Sequence, residues 1–371
     1  MIANGYRANP RGWSMPYRIR GTVLPDGDVR EAFVVDGRFT FDGVDGAETL
    51  LDDCVLLPGL VDVHAHLTLP RPAPTDAAPR GQAEGSAATH LDAGVLLIRE
   101  PGSPDHASHG IGPGAALPRV ITSGRFIAPP GHGIPGLELG AAADGLPDAA
   151  EAEFRGGDGW VKVIGDTFVP GPGITQTYPL DALRATAERI HALGGRLAIH
   201  AMSAEAVADA VEAGFDSIEH GTFIERSQLA LLADRGIAWT PTRSIDALVR
   251  SMVREMDWPP DAIAELDRGF DGQPDTIAAA VDAGVTILAG TDAGAVPHGL
   301  IREEISLLVE AGVPADVALG AASWTARSFL GLPGIEEGAP ADLVAYRDDP
   351  RTDMRALGTP ALRMLDGRVI E

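Results

Sequence analysis

An α/β protein built on a (β/α)8 TIM barrel, with a small β-sandwich assembled from both chain ends, is the architecture this sequence predicts. Three observations carry it. Through the middle of the chain, brief apolar strands alternate with Ala-rich helical stretches, the pattern of a parallel α/β fold. Both ends read instead as short apolar runs separated by turn dipeptides. The length of 371 residues suits a barrel of about 250 residues plus an appendage.

Taken in order, residues 1–14 are expected to be an extension outside the folded unit, because Met15 starts the first segment that reads as folded protein. Residues 15–57 carry Asp26-Gly27, Asp36-Gly37, Asp42-Gly43 and Asp45-Gly46 between apolar runs, which predicts antiparallel β structure. Eight strands then follow: Gly59–His64, Val95–Arg99, Arg119–Ser123, Trp160–Ile164, Arg196–His200, Ser217–His220, Ile237–Pro241 and Val285–Asp292. Leu180, Leu183, Ala187 and Ile190 recur at helical spacing within Pro179–Leu193, and Gly194-Gly195 ends the run. The Gly- and Pro-rich stretch Ala128–Asp158 is expected to be a long loop over the barrel mouth. Ala341–Tyr346 and Leu362–Ile370 return to β character. The predicted division is 1–57 and 336–371 for the sandwich and 58–335 for the barrel.

Composition narrows the function classes. Apolar residues at 45% and charged residues at 22% are ordinary for a folded protein and exclude a disordered one. Acidic residues outnumber basic ones 53 to 29, and a net charge of -24 repels phosphate backbones and anionic lipid, so no nucleic-acid or membrane partner is expected. The single cysteine, Cys54, has no intrachain disulfide partner and reads as a buried apolar residue. The first residues lack the apolar core of a secretory signal, and no segment has membrane-spanning length, so a cytoplasmic location is expected. No repeat of solenoid period is present.

The chemistry concentrates at predicted strand ends. His64 and His66 close the first strand, and a spacing of two aims both side chains to one face. His200 ends the fifth strand, His220 the sixth and Asp292 the eighth, which brings five donors to one rim and points to a metal site. Lys162, in the fourth strand, is the only lysine among 29 basic residues. A neutral, partly buried amine can add CO2 and become a carbamate, whereas a guanidinium stays protonated. Such a carbamate has two anionic oxygens, enough to bridge two ions.

These residues resemble the amidohydrolase superfamily, in particular its metal-dependent prolidase and imidazolonepropionase-like branch. The resemblance rests on Leu56-Leu57-Pro58-Gly59-Leu60-Val61-Asp62-Val63-His64-Ala65-His66 and on Val161-Lys162-Val163, His200-Ala201 and Ile218-Glu219-His220-Gly221-Thr222. Gly290-Thr291-Asp292 and the closing Glu337-Gly338-Ala339-Pro340-Ala341-Asp342-Leu343-Val344 extend it over roughly residues 20–371. It implies two divalent ions, commonly zinc, with His64, His66 and Asp292 on one and His200 and His220 on the other. Carboxylated Lys162 and a hydroxide would bridge them. That hydroxide would attack an amide carbonyl, while Asp292 serves both as ligand and as the group that carries the proton to the leaving amine. One departure stands out: relatives often carry Arg-Asp after the second strand, where this chain has Arg99-Glu100.

The substrate expected is a small-molecule amide, a dipeptide of the Xaa-Pro kind or an N-acyl amino acid. A lactam or cyclic imide hydrolysed with one metal is the alternative, and a catalytically silent scaffold is the alternative of another class. For substrate contacts the sequence points to His132, whose Gly131-His132-Gly133 resembles a substrate-facing loop of prolidase-like relatives, and to Tyr178 and Arg243. His106, His109, His191 and His298 are read as structural or exposed. The subunit count is not specified by the sequence, which leaves a homo-oligomer open.

Overall fold

The computed structural model describes residues 15–69, 78–104, 106–132, 138–169, 173–256 and 258–370, so the expectation for residues 1–14 lies outside them. Both ends of the chain meet in one seven-stranded sheet. Its strands, in spatial order, are Arg368–Ile370, Leu362–Leu365, Leu343–Tyr346, Glu48–Pro58, Tyr17–Val23, Asp28–Val35 and Arg38–Thr40. Asp36-Gly37 and Asp366-Gly367 make its tight turns with φ of 50°, 80°, 52° and 75°, the left-handed backbone that an Asp-Gly hairpin needs. The antiparallel expectation requires one correction. Tyr17–Val23 pairs in parallel with Glu48–Pro58, because the Asp42-Gly43 and Asp45-Gly46 turns lie in a crossing connection and close no hairpin. The outer strand curls round to bond with residues before Leu343, through Phe39 N–H to Ala339 O at 2.9 Å and Ala341 N–H to Gly37 O at 2.8 Å. Ile19, Phe39, Leu56 and Met364 fill the core so enclosed, and Cys54 is buried there as a free thiol.

The middle of the chain forms parallel sheets flanked by helices, a mixed α/β fold. Leu60–Asp62, Val95–Glu100 and Arg119–Thr122 make one. Ala238–Thr240, Ser217–His220, Arg196–Ala201, Trp160–Ile164, Ile127–Ala128 and Leu139–Gly140 make the other. Their side chains are almost wholly buried on both faces, as expected for parallel strands covered by helices. The predicted last strand, Val285–Asp292, is not a regular one: it makes isolated bridges only. It nevertheless joins the two sheets, with Leu288 N–H on Trp239 O at 2.9 Å on one side and Val63 N–H on Ala289 O at 3.1 Å on the other.

The stretch expected to be loop, Ala128–Asp158, contains the helix Leu146–Gly156, and its residues 133–137 lie outside the described ones. Leu146 and Ala150 are buried at helical spacing, with Phe154 continuing the stripe, a pattern that the surrounding Gly and Pro concealed. The predicted helix over Pro179–Leu193 is present as Leu180–Ala192, with Leu183, Ala187 and Ile190 buried. Among the described residues, no helix is long and apolar enough to cross a membrane.

Candidate metal centre and active site

Parallel strands that share a direction bring their C-terminal ends to one rim, where, of the six predicted metal-binding side chains, Lys162, His200 and His220 leave strands and His64 and His66 follow directly after Leu60–Asp62. The sixth, Asp292, is carried by the bridging segment, whose Asp292 N–H bonds to His64 O and whose Ala293 O accepts from His66 N–H, both at 2.7 Å. Asp292 Oδ1 thereby lies 3.3 Å from both His64 Nε2 and His66 Nε2. The His220 ring stands 5.1 Å from that of His64 and 4.4 Å from that of His200, centroid to centroid. Donor atoms of His64, His220 and Asp292 all fall within 4.8 Å of one another. The Lys162 amine meets Glu219 Oε2, which is itself 3.2 Å from His64 Nδ1. The six predicted donors are therefore brought together. His64, Lys162 and His220 form a buried floor, while His66, His200 and Asp292 keep some exposure on the open side.

The surrounding groups decide which imidazole nitrogen is free. His66 Nδ1–H donates to Gly102 O at 3.0 Å. His220 Nδ1–H donates to Thr242 Oγ1 at 2.8 Å, the Thr242 hydroxyl having given its own proton to Pro241 O. His64 Nδ1 faces the Glu219 carboxylate. In the His66 and His220 rings the proton is drawn to Nδ1 and the Nε2 lone pair turns inward, the arrangement that orients histidine ligands, while His64 stands between the Glu219 and Asp292 carboxylates. His200 is reversed: its Nε2 lies 3.4 Å from Asp166 Oδ1, which leaves Nδ1 for the centre. Asp166 is fixed by Ser203 Oγ at 2.8 Å and by the Met202 and Ser203 amides. The His66 lone pair thus faces a carboxylate oxygen that His64 Nε2 also approaches, an arrangement that a cation or an added proton reconciles. The donor set fits divalent metal ions.

Glu219 is the residue that the sequence reading passed over. It is fully buried, and it binds the Arg99 guanidinium as well as Lys162 and His64. The departure at Glu100 is accommodated without disturbing the rim, since its carboxylate accepts from Ser108 Oγ at 2.8 Å and Thr122 Oγ1 at 3.0 Å. Asp62 accepts from the amides of His64 and Thr291 and from Thr291 Oγ, which clamps the two segments that carry His64 and Asp292. Behind it His90, 3.7 Å from Asp62, bonds to His298 at 3.2 Å, so His298 serves the framework.

Two ligand positions hold unusual backbone. His220 and Asp292 have φ of 70° and 54°, the left-handed region sparsely used outside glycine. Trp239 Nε1 and Gln273 Nε2 both donate to His220 O, at 3.0 and 2.8 Å, and pin that conformation. Gly290 lets the segment approach, because a Cβ there would stand 2.6 Å from His64 Cβ.

Burial governs the titration. It pushes His64 and His200 down to about 3 and His220 well below its ordinary value, and with help from Arg99 it holds the Lys162 amine well below the usual lysine range. Burial alone would raise Asp292, but the flanking His64 and His66 hold it well below the usual carboxylate range. For His66 the same pairing outweighs burial and moves it upward. In the metal-free protein the unfolded chain protonates the His64, His200 and His220 imidazoles near pH 6.5 while the fold keeps them neutral, so on their account alone stability drops as pH falls. Each contributes up to about 1.4 kcal/mol per pH unit between about 6.5 and the lowered folded value, and His90, pushed down to about 3 by burial, adds to them. His66 opposes them, as do the carboxylates that burial raises, Asp62 and Asp246 to about 7 and Asp166 to about 6, because these take up protons in the folded state over the same window. The two sets are of similar size, so the expected result is a melting temperature that differs by only a few degrees between pH 5 and pH 7, read by calorimetry on chelated protein. A fall of more than about 10 °C would contradict it.

The three predicted substrate contacts lie elsewhere. His132 is exposed, with Nδ1 against Pro130 O at 3.2 Å. Tyr178 is buried in the main core and its hydroxyl donates to Ala141 O at 2.8 Å, so it packs. Arg243 follows Thr242, but its guanidinium is taken by Asp246 and by Gln273 Oε1. Among the described residues, no contact joins the His132 or Tyr178 side chain to the six donors.

Comparison with known proteins agrees with the geometry. The profile described as "Amidohydrolase family" matches residues 55–370. An uncharacterized protein of Mycobacterium tuberculosis is 36% identical over 366 residues, covering 97% of both chains. Among solved structures, a Xaa-Pro dipeptidase with bound methionine in the active site superposes with a TM-score of 0.81 at 23% identity, covering 96% of this chain and 100% of that one. The ochratoxinase of Aspergillus niger does so with a TM-score of 0.82 at 19% identity, covering 96% and 95%.

Proposed function

The chain belongs to the amidohydrolase family, hydrolases of carbon–nitrogen bonds, and from that premise we propose that it is a binuclear metal-dependent enzyme cleaving an amide of a small molecule. The most fitting substrates are a dipeptide of the Xaa-Pro kind or an N-acyl amino acid. The relative named as a Xaa-Pro dipeptidase supports the former. One observation carries the reading: the His64 and His66 imidazoles converge on Asp292 beside a buried Lys162 whose amine is held well below the usual lysine range. The fold reading that goes with it is one closed (β/α)8 barrel over residues 58–335, supported by the bridging segment at Leu288 and Ala289. Residues 1–57 and 336–371 would form its sandwich.

In this reading His64, His66 and Asp292 would hold one divalent ion and His200 and His220 the other, with a CO2-derived carbamate on Lys162 as a further ligand and zinc as the proposed metal. Such ions supply Lewis acidity at the carbonyl and a water acidic enough to react near neutral pH. The protein's own part is positional and protolytic. Glu219, Gly102, Thr242 and Asp166 hold the imidazoles in one tautomer and orientation. Asp292, ionised and on the open side, accepts the nucleophile's proton and delivers it to the departing nitrogen. His132 is the remaining proposed substrate contact. Tyr178 and Arg243 are assigned to packing and to the Asp246 pair.

Metal analysis together with a panel of dipeptides, N-acyl amino acids and lactams tests the reading. The expected result is two ions per chain and amide hydrolysis that is lost on chelation and restored by added metal. One ion per chain with turnover of lactams alone would replace it by the cyclic-amide alternative.

A further inference from the structure

Two opposite charges are shut away from water beside the candidate metal centre. Arg99 comes from Val95–Glu100 in one parallel sheet and Glu219 from Ser217–His220 in the other, and the Arg99 Nη2 group donates to Glu219 Oε1 across the interior. Arg99 is itself fixed, by Nε–H to Val63 O at 2.7 Å, next to His64, and by the Trp160 ring, whose centroid lies 4.8 Å from the guanidinium carbon. The second oxygen of Glu219, Oε2, meets Lys162 Nζ and stands 3.2 Å from His64 Nδ1. Among the described residues, no hydrogen bond takes any of these three buried atoms elsewhere.

Stability does not account for such a pair, since apolar residues of similar size commonly hold a fold as well as a buried ion pair does. The chemistry proposed for Lys162 does. When CO2 adds to the amine an N–C bond forms, one amine hydrogen leaves as a proton to the buffer, and one N–H remains. That N–H is a buried donor and needs an acceptor. Glu219 Oε2 is the carboxylate oxygen in contact with the nitrogen. A bare carboxylate there would repel the anionic carbamate, and the Arg99 guanidinium on its other oxygen offsets that charge.

We infer that the Arg99–Glu219 pair is the acceptor that orients the Lys162 carbamate, and that it sets how tightly the protein takes up CO2. The inference rests on the reading of the cluster as a metal centre with a carbamate ligand. With its N–H held on Glu219 the planar carbamate is stopped from turning about its bond to the side chain, and its oxygens are directed away from the glutamate and left to the ions. The same Glu219 oxygen faces His64, so one carboxylate aligns two of the six donors. Glu219 and Arg99 are positioning residues, acting through Lys162 and His64.

Carbon-13 spectroscopy of the protein at saturating zinc, titrated with labelled bicarbonate, tests the pair without turnover by measuring the bicarbonate concentration at which half the chains carry the carbamate. Glu219→Gln keeps the shape but sets an amide donor against Arg99 or against Lys162 and His64, and is expected to raise that concentration about tenfold. Its kcat should fall at ambient CO2 with KM unchanged and recover as bicarbonate is raised. Arg99→Met combined with Glu219→Leu removes both charges together, an exchange that buried pairs commonly tolerate, and should show a shift of about the same size in a chain that still folds. A half-saturation concentration within about twofold of the parent in either folded variant overturns the proposal and leaves the metal centre standing, because a pair that served folding alone would lower the melting temperature without touching CO2 uptake. Loss of the fold in both variants would likewise assign the pair to stability and overturn it. Absence of a carbamate resonance from the zinc-loaded parent would defeat the Lys162 assignment itself, and the proposal with it.

Discussion

Replacing Asp292 with asparagine is expected to lower kcat by on the order of 10⁴-fold or more on whatever amide the enzyme turns over, with the fold retained. The substitution keeps the shape and removes the charge and the basicity. Asp292 Oδ1 stands 3.3 Å from both His64 Nε2 and His66 Nε2, and the carboxylate is held well below its usual range by those same rings. An asparagine there can neither counter a cation nor take a proton. The backbone anchor, Asp292 N–H on His64 O at 2.7 Å, does not depend on the side chain, so the melting temperature of the chelated variant should stay close to that of the parent. Steady-state kinetics at saturating metal, beside metal analysis, checks the result. A variant that binds its metal and keeps more than about a tenth of the parent kcat would remove Asp292 from the proton path.

The donors were legible in the sequence because strand ends announce themselves. His64-Ala65-His66 follows an apolar strand, and Lys162 stands alone against an otherwise arginine-only basic set. Glu219 was hidden by the rule that made the others visible. Adjacent residues of a strand alternate faces, so Glu219 and His220 should point apart. The left-handed φ of 70° at His220 breaks that alternation and turns both side chains to the centre. A carboxylate inside a wholly buried parallel strand was the available clue, since it requires a partner.

Elsewhere the sequence carried less. The alternation of brief strands with Ala-rich helical stretches located Trp160–Ile164 and Ser217–His220 to the residue, yet it cannot tell a regular strand from the bridged segment at 285–293. Parallel pairing of Tyr17–Val23 with Glu48–Pro58 is a long-range choice that local turn chemistry does not record. Arg243 illustrates the limit for polar rim residues: a guanidinium after a strand end suits a substrate carboxylate and Asp246 equally well, and three residues of helical spacing decided for Asp246.

Lys162→Ala should reduce activity by on the order of 10³-fold, and part of the loss should return on adding acetate or propionate, because the deleted side chain leaves a cavity that a small carboxylate can enter. The side chain is 2% exposed, lies against Glu219 and is held well below the usual lysine range by burial and by Arg99. A neutral amine adds CO2, forming an N–C bond and releasing one proton, and the remaining N–H can still donate to Glu219. Lys162→Arg should be equally inactive but resistant to rescue, because the guanidinium fills the space and holds its charge beside Arg99. Labelled bicarbonate and carbon-13 spectroscopy of the metal-loaded parent give a second readout, in which a carbamate resonance should appear and be missing from both variants. Full activity of Lys162→Ala without any added carboxylate would show that the buried amine only fills space between Glu219 and the imidazoles.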